Sequence, residues 1–361
     1  MNEARYLINP VFYGSESYSK INQYIEDKKP SSVFILVDTN TQQNCLGLFL
    51  KNITTDFQIE VIEIEPGEEN KHIETCTGVW SALSELGADR KSLMINLGGG
   101  VVTDLGGFVA STFKRGIPFI NVPTTLLSMV DASVGGKTGV DLGNLKNQVG
   151  VIVQAELVVV DSIYLQTLSS REMRSGLAEI LKHGLIADES YWNRMSNLSS
   201  LDLSDLDTII EHSVNIKSEI VSQDPYERSI RKNLNFGHTL GHAIESFYLT
   251  NLEKDKLLHG EAIAIGMILE SYLSSEILNF PQKKLRDISN IIIDLFGFTD
   301  ISTEDLNQII SLLKHDKKNS NGQVNFVLLK DIAVPKLDVI VSEELIIKSF
   351  DFYNSLNITN H

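Results

Sequence analysis

Residues 235–245 read Asn235-Phe-Gly-His-Thr-Leu-Gly-His-Ala-Ile-Glu245, and two of them, His238 and His242, are four apart. On a helix that spacing projects both imidazoles from one face, one turn from each other. Imidazoles held this way bind a divalent metal or grip a substrate, and the flanking glycines leave room for close approach. An isolated pair of this kind more often caps or lines a helix. The company changes the weighting: His259 stands in His259-Gly-Glu261, and a lone carboxylate, Glu179, closes Gly176-Leu-Ala-Glu179 in an otherwise apolar helical pattern. His183 follows Glu179 by one turn, so spacing alone leaves open which imidazoles would share a cation with that carboxylate.

A second chemistry resides in Gly98-Gly-Gly-Val-Val-Thr-Asp-Leu-Gly-Gly107, which follows the apolar run 92–97. A strand, small residues and then a helix aim backbone N–H groups and the positive helix end at a phosphate. The spacing is not GxGxxG, and a tight turn needing positive φ explains the glycines about as well. Thr124 and Thr125 end the next predicted strand, and Asp38 and Asn40 follow an earlier one. Open α/β sheets bind ligands outside the carboxyl ends of their strands, so these residues together favour a dinucleotide. Val134-Gly-Gly-Lys-Thr-Gly-Val-Asp141 has the look of a phosphate loop, but Asp131 stands where GxxxxGK[ST] needs its first glycine. An ATPase is therefore discounted, although Lys137 between small residues still suits an anion. Lys217 falls in an apolar stripe with Ile210, Val214 and Val221. That position suits a snorkelling lysine and a lysine turned inward to an anion equally. Arg231 shares a segment with Asn235 and His238, and its planar fork suits phosphate or carboxylate.

The elements that must position these groups fall into two patterns. Residues 32–38, 57–64, 92–97, 118–122 and 157–161 are near-continuous apolar runs, and 73–86 has a helical period. Continuous rather than alternating runs suit a parallel sheet buried on both faces, so residues 1–168 read as a doubly wound, Rossmann-like α/β domain. From Ser169-Ser-Arg-Glu172, which has capping-box spacing, helical patterns dominate: to about 186, then 206–222, 236–248, 259–278, 281–295 and 303–314. Only 325–329 looks like a strand, so 169–361 is expected to be a mainly α-helical domain, with 249–258 a loop between two motif helices.

Composition bounds the partners. The chain has 361 residues and a formal charge of −16, which argues against nucleic acid or an anionic membrane as partner. A small anionic substrate is not excluded, since a local cluster of Lys and Arg overrides the net field. Two cysteines, no signal pattern at the amino terminus and no apolar run of spanning length fit a reduced, cytoplasmic setting.

Taken together, the motifs resemble the 3-dehydroquinate synthase family from Asp38 to about Leu329. The stretches that carry the resemblance are Gly67-Glu-Glu-Asn-Lys71, Asn96-Leu-Gly-Gly-Gly-Val-Val-Thr-Asp104, Val122-Pro-Thr-Thr125, Asp131-Ala-Ser-Val-Gly-Gly-Lys137 and Arg174-Ser-Gly-Leu-Ala-Glu-Ile-Leu-Lys182. Beyond them come Leu234-Asn-Phe-Gly-His-Thr-Leu-Gly-His-Ala243, Leu258-His-Gly-Glu261 and Asp316-Lys-Lys-Asn319.

The resemblance implies an enzyme of the shikimate pathway. It would convert 3-deoxy-D-arabino-heptulosonate 7-phosphate to 3-dehydroquinate and phosphate by transient NAD-dependent oxidation, phosphate elimination, re-reduction and aldol closure. By similarity, Glu179, His238 and His259 hold Zn²⁺ or Co²⁺, His242 goes to the substrate, and His183 stays outside the ligand set. Lys182, Lys217, Arg231 and Asn235 would surround substrate oxygens. Arg115, Lys137 and Asn147 resemble substrate or phosphate contacts, joined by Lys317 or Lys318, while Asp131 and Glu227 match polar active-site positions. Asp38, Asn40, Glu68, Lys71, Gly99, Gly100, Asp104, Thr124, Thr125, Lys146 and Thr167 resemble the NAD-binding set, with Lys137 and Tyr164 beside it. A homodimer is implied as well.

Three departures concern loop geometry. Val149-Gly-Val-Ile-Val-Gln-Ala155 stands where the family usually has an aromatic and a proline, Tyr164 where phenylalanine is common, and the segment between His242 and His259 is long. Other readings weighed are further sugar phosphate cyclases, such as 2-deoxy-scyllo-inosose and valiolone synthases, and the metal-dependent glycerol dehydrogenase group. Asn147, Asn235 and His242 together favour the first family. A non-enzymatic scaffold that kept only the fold would have lost charged pocket residues, and none of the motif positions is missing.

Overall fold

The apolar runs of the first half do become buried strands. In the structure, a computed structural model that describes residues 9–54, 57–143, 145–197, 205–251, 253–313 and 324–357, they alternate with helices. The order is β1 (Val11–Tyr13), α1 (Tyr18–Lys28), β2 (Val33–Asp38), α2 (Thr39–Asn44), α3 (Leu46–Asn52), β3 (Ile59–Ile64) and α4 (Ile73–Glu85). There follow β4 (Leu93–Gly98), α5 (Gly100–Thr112), β5 (Phe119–Pro123), β6 (Lys137–Leu142), β7 (Leu145–Ile152) and β8 (Leu157–Val160). Helices α6 (Ser170–Ala187), α7 (Glu189–Met195), α8 (Leu206–Gln223), α9 (His238–Thr250), α10 (His259–Leu278), α11 (Gln282–Phe296) and α12 (Thr303–Leu313) come next. The described chain then runs through β9 (Asn325–Asp331), β10 (Val334–Ile340) and α13 (Glu343–Ser355). No helix among the described residues is long and apolar enough to cross a membrane.

The chain divides into two compact units, Met1–Gly176 with Asp202–Ser222, and Leu177–Leu201 with Gln223–His361. The divide expected between 168 and 169 instead falls inside α6, and nearly all of α8 belongs to the first unit. Helical periodicity cannot say which neighbour a helix packs against, so the sequence alone does not place α8.

In the first unit the strands form a parallel sheet in the order β1-β8-β5-β4-β2-β3. β4, β5 and β8 are wholly buried, as strands covered on both faces must be, while the outermost β1 and β3 are only partly so. The chain leaves β2 for β3 on one side and returns with β4 on the other. The strand order therefore reverses between β2 and β4. Their carboxyl ends, carrying Asp38 and Gly98, frame the crevice where such sheets bind ligands. β1 and the antiparallel pair β6–β7 were not foreseen. β1 has three residues, and the hairpin strands are interrupted by Gly139 and Gly150, whose backbones nearly touch.

In the second unit α10 is buried on nearly every side, packing against α9, α11, α13 and β9. A helix apolar all round is a core helix. Ser274 on α10 accepts the Leu329 N–H at 2.9 Å, which ties β9 to it. The carboxyl half is mainly helical, as expected, with β9 and β10 added as an antiparallel pair. β10 escaped notice because Pro335, Lys336 and Asp338 break its apolar pattern. Those residues are characteristic of an edge strand.

Candidate active site

The second unit gathers a cluster of imidazoles through contact between two helix backbones. A Cβ built on Gly266 of α10 would lie 2.0 Å from the Gly237 carbonyl oxygen, and one on Gly241 of α9 would lie 3.1 Å from the Ala262 carbonyl oxygen. Only glycine allows that approach. Gly237 also takes the left-handed conformation, with φ of 77°, and so starts α9 at His238 instead of at the expected residue 236. As a result the His238 ring centroid lies 5.0 Å from that of His242 and 5.5 Å from that of His259, at the start of α10. One nitrogen from each of the three rings falls within 4.8 Å of the others.

Glu179 on α6 faces this cluster and is fully buried. Its Oε1 lies 3.4 Å from Nε2 of both His238 and His259, and the Lys182 ammonium contacts Oε2. Neither carboxylate oxygen has a conventional hydrogen-bond donor among the described residues. Lys182 already meets Oε2, so Oε1, turned to the two rings, is the oxygen placed to take a further cation. The far side of each ring is committed. His238 Nδ1 donates to the Phe236 carbonyl at 3.1 Å, and His259 Nδ1 to Glu245 Oε2 at 3.2 Å. Both partners only accept, so Nδ1 carries a proton in each ring and Nε2, which faces Glu179, is the nitrogen that a cation would take. One carboxylate oxygen and two imidazole nitrogens fit a divalent cation of the zinc or cobalt type. His242 is close enough to join, so the geometry does not by itself limit the set to three. His183, also fully buried on α6, is outside the histidine cluster.

The charges reinforce this arrangement. Burial, with the Lys182 charge, lowers His238 to about 4. Burial acts downward on His259 too, yet Glu245 and Glu179 outweigh it and raise that ring to about 9. Burial works against ionised Glu179, but Lys182 and His238 hold it well below the usual carboxylate range.

Three residues that sequence reading passed over organise the centre. Glu270 on α10, fully buried, accepts the Gly237 N–H at 2.6 Å and the Leu240 N–H at 3.3 Å, capping α9 from a neighbouring helix. Glu245 on α9 reaches back to the first residue of α10. Asp224 accepts the N–H groups of Arg228, Ser229 and Arg231 at 2.9, 2.7 and 3.1 Å. It thereby folds the segment that carries Glu227, Arg231 and Asn235. Asn235 donates to Glu227, and Arg231 Nη1 donates to the Pro225 carbonyl at 2.7 Å. Asp224-Pro225 was the available signal, since Asp-Pro favours turn initiation.

In the first unit the residues assigned to a nucleotide form one charged network. Lys71 donates to Asp104 at 2.6 Å and to Asn147 Oδ1 at 2.8 Å, and Lys146 pairs with Glu68 at 2.9 Å. Burial disfavours the Lys71 charge, but Asp104 and Glu68 outweigh it and keep the ammonium protonated. Asn147, at φ of 51°, donates its N–H to Asp141 at 2.6 Å. The glycines ending β4 act by space and not by conformation. Gly98, Gly99 and Gly100 all avoid positive φ, which corrects the tight-turn reading, whereas a Cβ on Gly98 would strike Val102 at 2.5 Å and one on Gly99 would press Thr125 at 3.0 Å. Thr124 donates its N–H to the Gly98 carbonyl at 3.0 Å, joining the two strand ends. Asp38 caps α2 through Thr41, which occupies its Oδ1. Asn40 is exposed beside it. Lys217 turns inward, donating at 2.6 Å to both the carbonyl and Oδ1 of Asp131, which sits in a turn of π-helix, Ser128–Ala132. The snorkelling reading is thereby set aside. Lys137 is exposed at the start of β6.

Three assignments are not gathered with the rest. Arg115 lies in the turn between α5 and β5, at the amino edge of the sheet, opposite the glycine turn. A parallel crossover necessarily returns the chain to that edge. Tyr164 is a core residue whose hydroxyl accepts from Tyr18 at 2.8 Å, which removes it from direct contact with a ligand. Thr167 is exposed, and its hydroxyl donates to the Tyr164 carbonyl at 2.8 Å. Lys317 and Lys318 lie outside the described residues.

Comparison with known proteins adds independent findings. Residues 61–175 match the family model described as 3-dehydroquinate synthase N-terminal, and 176–319 match 3-dehydroquinate synthase C-terminal. A 3-dehydroquinate synthase of Parabacteroides distasonis is 41% identical over 337 residues, covering 93% of this chain and 95% of that protein. One from Clostridium botulinum is 39% identical, covering 88% and 90%. Among solved structures, a 2-epi-5-epi-valiolone synthase of Streptomyces hygroscopicus with NAD⁺ and Zn²⁺ bound superposes with a TM-score of 0.84 at 25% identity, covering 99% of both chains. A 2-deoxy-scyllo-inosose synthase complexed with carbaglucose-6-phosphate, NAD⁺ and Co²⁺ gives 0.83 at 24%, covering 94% and 95%. A probable glycerol dehydrogenase of Sinorhizobium meliloti gives 0.67 at 14%, covering 99% and 100%, and shares the fold alone.

Proposed function

The chain belongs to the 3-dehydroquinate synthase family, and from that premise we infer its reaction: conversion of 3-deoxy-D-arabino-heptulosonate 7-phosphate to 3-dehydroquinate and phosphate, with NAD and a divalent cation, Zn²⁺ or Co²⁺, as cofactors. The observation that carries this reading is the buried Glu179 carboxylate aimed at two Nε2 atoms whose rings are locked from behind. Relatives near 40% identity that bear this activity outweigh structural neighbours near 25% that bear others.

Glu179, His238 and His259 would hold the cation, and the network around Lys71, with Gly99, Gly100, Thr124 and Thr125, would hold NAD. When bound, the cation supplies Lewis-acid polarisation of a substrate oxygen and NAD a reversible hydride acceptor. The protein's own residues do the rest. Lys182, pinned beside Glu179, presents an ammonium to a substrate oxygen. Arg231, anchored on Pro225, keeps its planar fork in one orientation for an anion. Asn235 is aimed by Glu227, and Lys217 by Asp131. His242 offers a third imidazole for a substrate hydroxyl, and Lys137 and Asn147 contribute phosphate contacts, while Arg115, at the opposite sheet edge, is left out of the set. Fixing a multiply charged sugar so that oxidation, loss of phosphate, re-reduction and ring closure occur in one pose is the main task. We assign NAD binding to the first unit and the metal to the second, in a cytoplasmic homodimer.

The test is phosphate release from the heptulosonate phosphate, with and without NAD and a chelator. Release that needs both cofactors, with no lasting NADH absorbance, supports the cyclase. Sustained NADH accumulation without phosphate would point to a dehydrogenase instead.

A further inference from the structure

We propose that Glu245 is a positioning residue of the metal centre, the carboxylate that fixes the tautomer and orientation of His259. This rests on His259 being a metal ligand, as read above. Glu245 lies on α9, two turns beyond His238, and is buried. Its Oε2 stands 3.2 Å from His259 Nδ1, on the side of the ring away from Glu179. An ionised carboxylate only accepts, so it holds a proton on Nδ1 and leaves Nε2, 3.4 Å from Glu179 Oε1, as the nitrogen at which a cation would replace a proton.

The two ligand rings are backed unequally. His238 leans on the neutral carbonyl of Phe236, two residues away in its own chain segment, and cannot lose that partner without unwinding the start of α9. His259 begins α10, at the end of the segment that follows α9, and its ring is backed by the side chain of Glu245. A charged acceptor also makes the imidazole a stronger donor to a cation than a carbonyl does. The polarising carboxylate is therefore placed behind the ring that lacks a local backbone partner. Glu270 completes a reciprocal clasp: it reaches from α10 to the first turn of α9, as Glu245 reaches from α9 to the first residue of α10.

The experiment compares the full-length wild type with Glu245→Gln and Glu245→Asp, stripped of metal and titrated with Zn²⁺ against a chromophoric chelator, then with Co²⁺ by visible absorption. Gln keeps the shape and a neutral acceptor; Asp keeps the charge but withdraws it from Nδ1. Both variants should bind Zn²⁺ about 10–100-fold more weakly, with a shifted Co²⁺ ligand-field band, while NAD affinity and the apo melting temperature stay at wild-type values. Zn²⁺ affinity within twofold of wild type in either folded variant, with an unaltered Co²⁺ spectrum, overturns the proposal. His259→Ala separates the two levels: if it too binds Zn²⁺ like the wild type, the ligand assignment has failed and not merely the role of Glu245.

Discussion

Gly266→Ala is the sharpest probe of the helix contact on which the metal centre depends. The added methyl would sit 2.0 Å from the Gly237 carbonyl oxygen and 2.9 Å from the Gly241 nitrogen. Both obstacles are backbone, so no side-chain rotation relieves them. Ordinary contact begins at 3.4 Å, so α9 and α10 must part by about 1.4 Å, the difference between 3.4 and 2.0 Å. His238 and His242 ride on α9 and His259 on α10, so the separation opens the imidazole cluster directly. Overpacking of this kind costs about 1–3 kcal/mol, and a displacement of about 1 Å at a reacting centre costs about 100-fold in rate. We expect kcat for phosphate release to fall about 100-fold at saturating NAD and substrate, with weaker Zn²⁺ binding and a melting temperature lower by a few degrees. Gly78→Ala on α4 is the control, because nothing lies within 4 Å of its Cβ position. It should be neutral, or stabilising by up to about 1 kcal/mol through helix propensity. A Gly266→Ala enzyme with kcat within twofold of wild type and unchanged Zn²⁺ affinity would refute the reasoning.

Asp224→Asn removes the charge that three backbone N–H groups share and turns its NH2 toward at least one of them, costing about 2–3 kcal/mol by urea unfolding at pH 7. Burial acts upward on that carboxyl but the N–H donors outweigh it, so its folded value is depressed. Its stabilisation is therefore complete above the unfolded value of about 3.9 and is lost as pH falls through the lower folded value, so the wild-type advantage should hold from pH 8 to 5 and shrink below about 4; a gap that widens in acid contradicts this. Lys182→Ala and His259→Ala should each abolish phosphate release while circular dichroism remains native, and full activity in either would count heavily against the site. Lys71→Met leaves Asp104 without its buried cation, while Glu68 keeps Lys146, at a cost of about 3–5 kcal/mol, and should weaken NAD binding measured by fluorescence titration; unchanged NAD affinity would remove that network from the cofactor site. Chelation should silence the enzyme reversibly, with Zn²⁺ or Co²⁺ restoring it and Mg²⁺ failing to, because imidazole ligands suit the former.

What local pattern encodes was legible. The central strands are read from continuous apolar runs and the long helices from their 3.6-residue period, because burial on both faces or on one stripe leaves its mark within a dozen neighbouring residues. The candidate ligands Glu179, His238 and His259 were legible for a different reason: their types and neighbours match a family, although spacing alone could not choose among them, His183 and His242. β1, the β6–β7 hairpin and β10 were not legible, being short, glycine-interrupted or studded with edge-strand charges.

The sequence by itself determined the chemistry available and the alternation of elements that carries it. Only the tertiary structure decided that α8 belongs with the first unit, that Arg115 faces the opposite sheet edge from the glycine turn, and that Tyr164 is core. It also decided that two unremarkable glutamates on apolar helices find these partners: Glu245 meets the His259 ring, and Glu270 caps the first turn of α9. The reason is physical. A helix or strand is chosen by interactions over one or two turns, whereas a buried carboxylate acquires its partner only when two distant backbones come within touching distance, here because Gly237, Gly241 and Gly266 carry nothing to keep them apart.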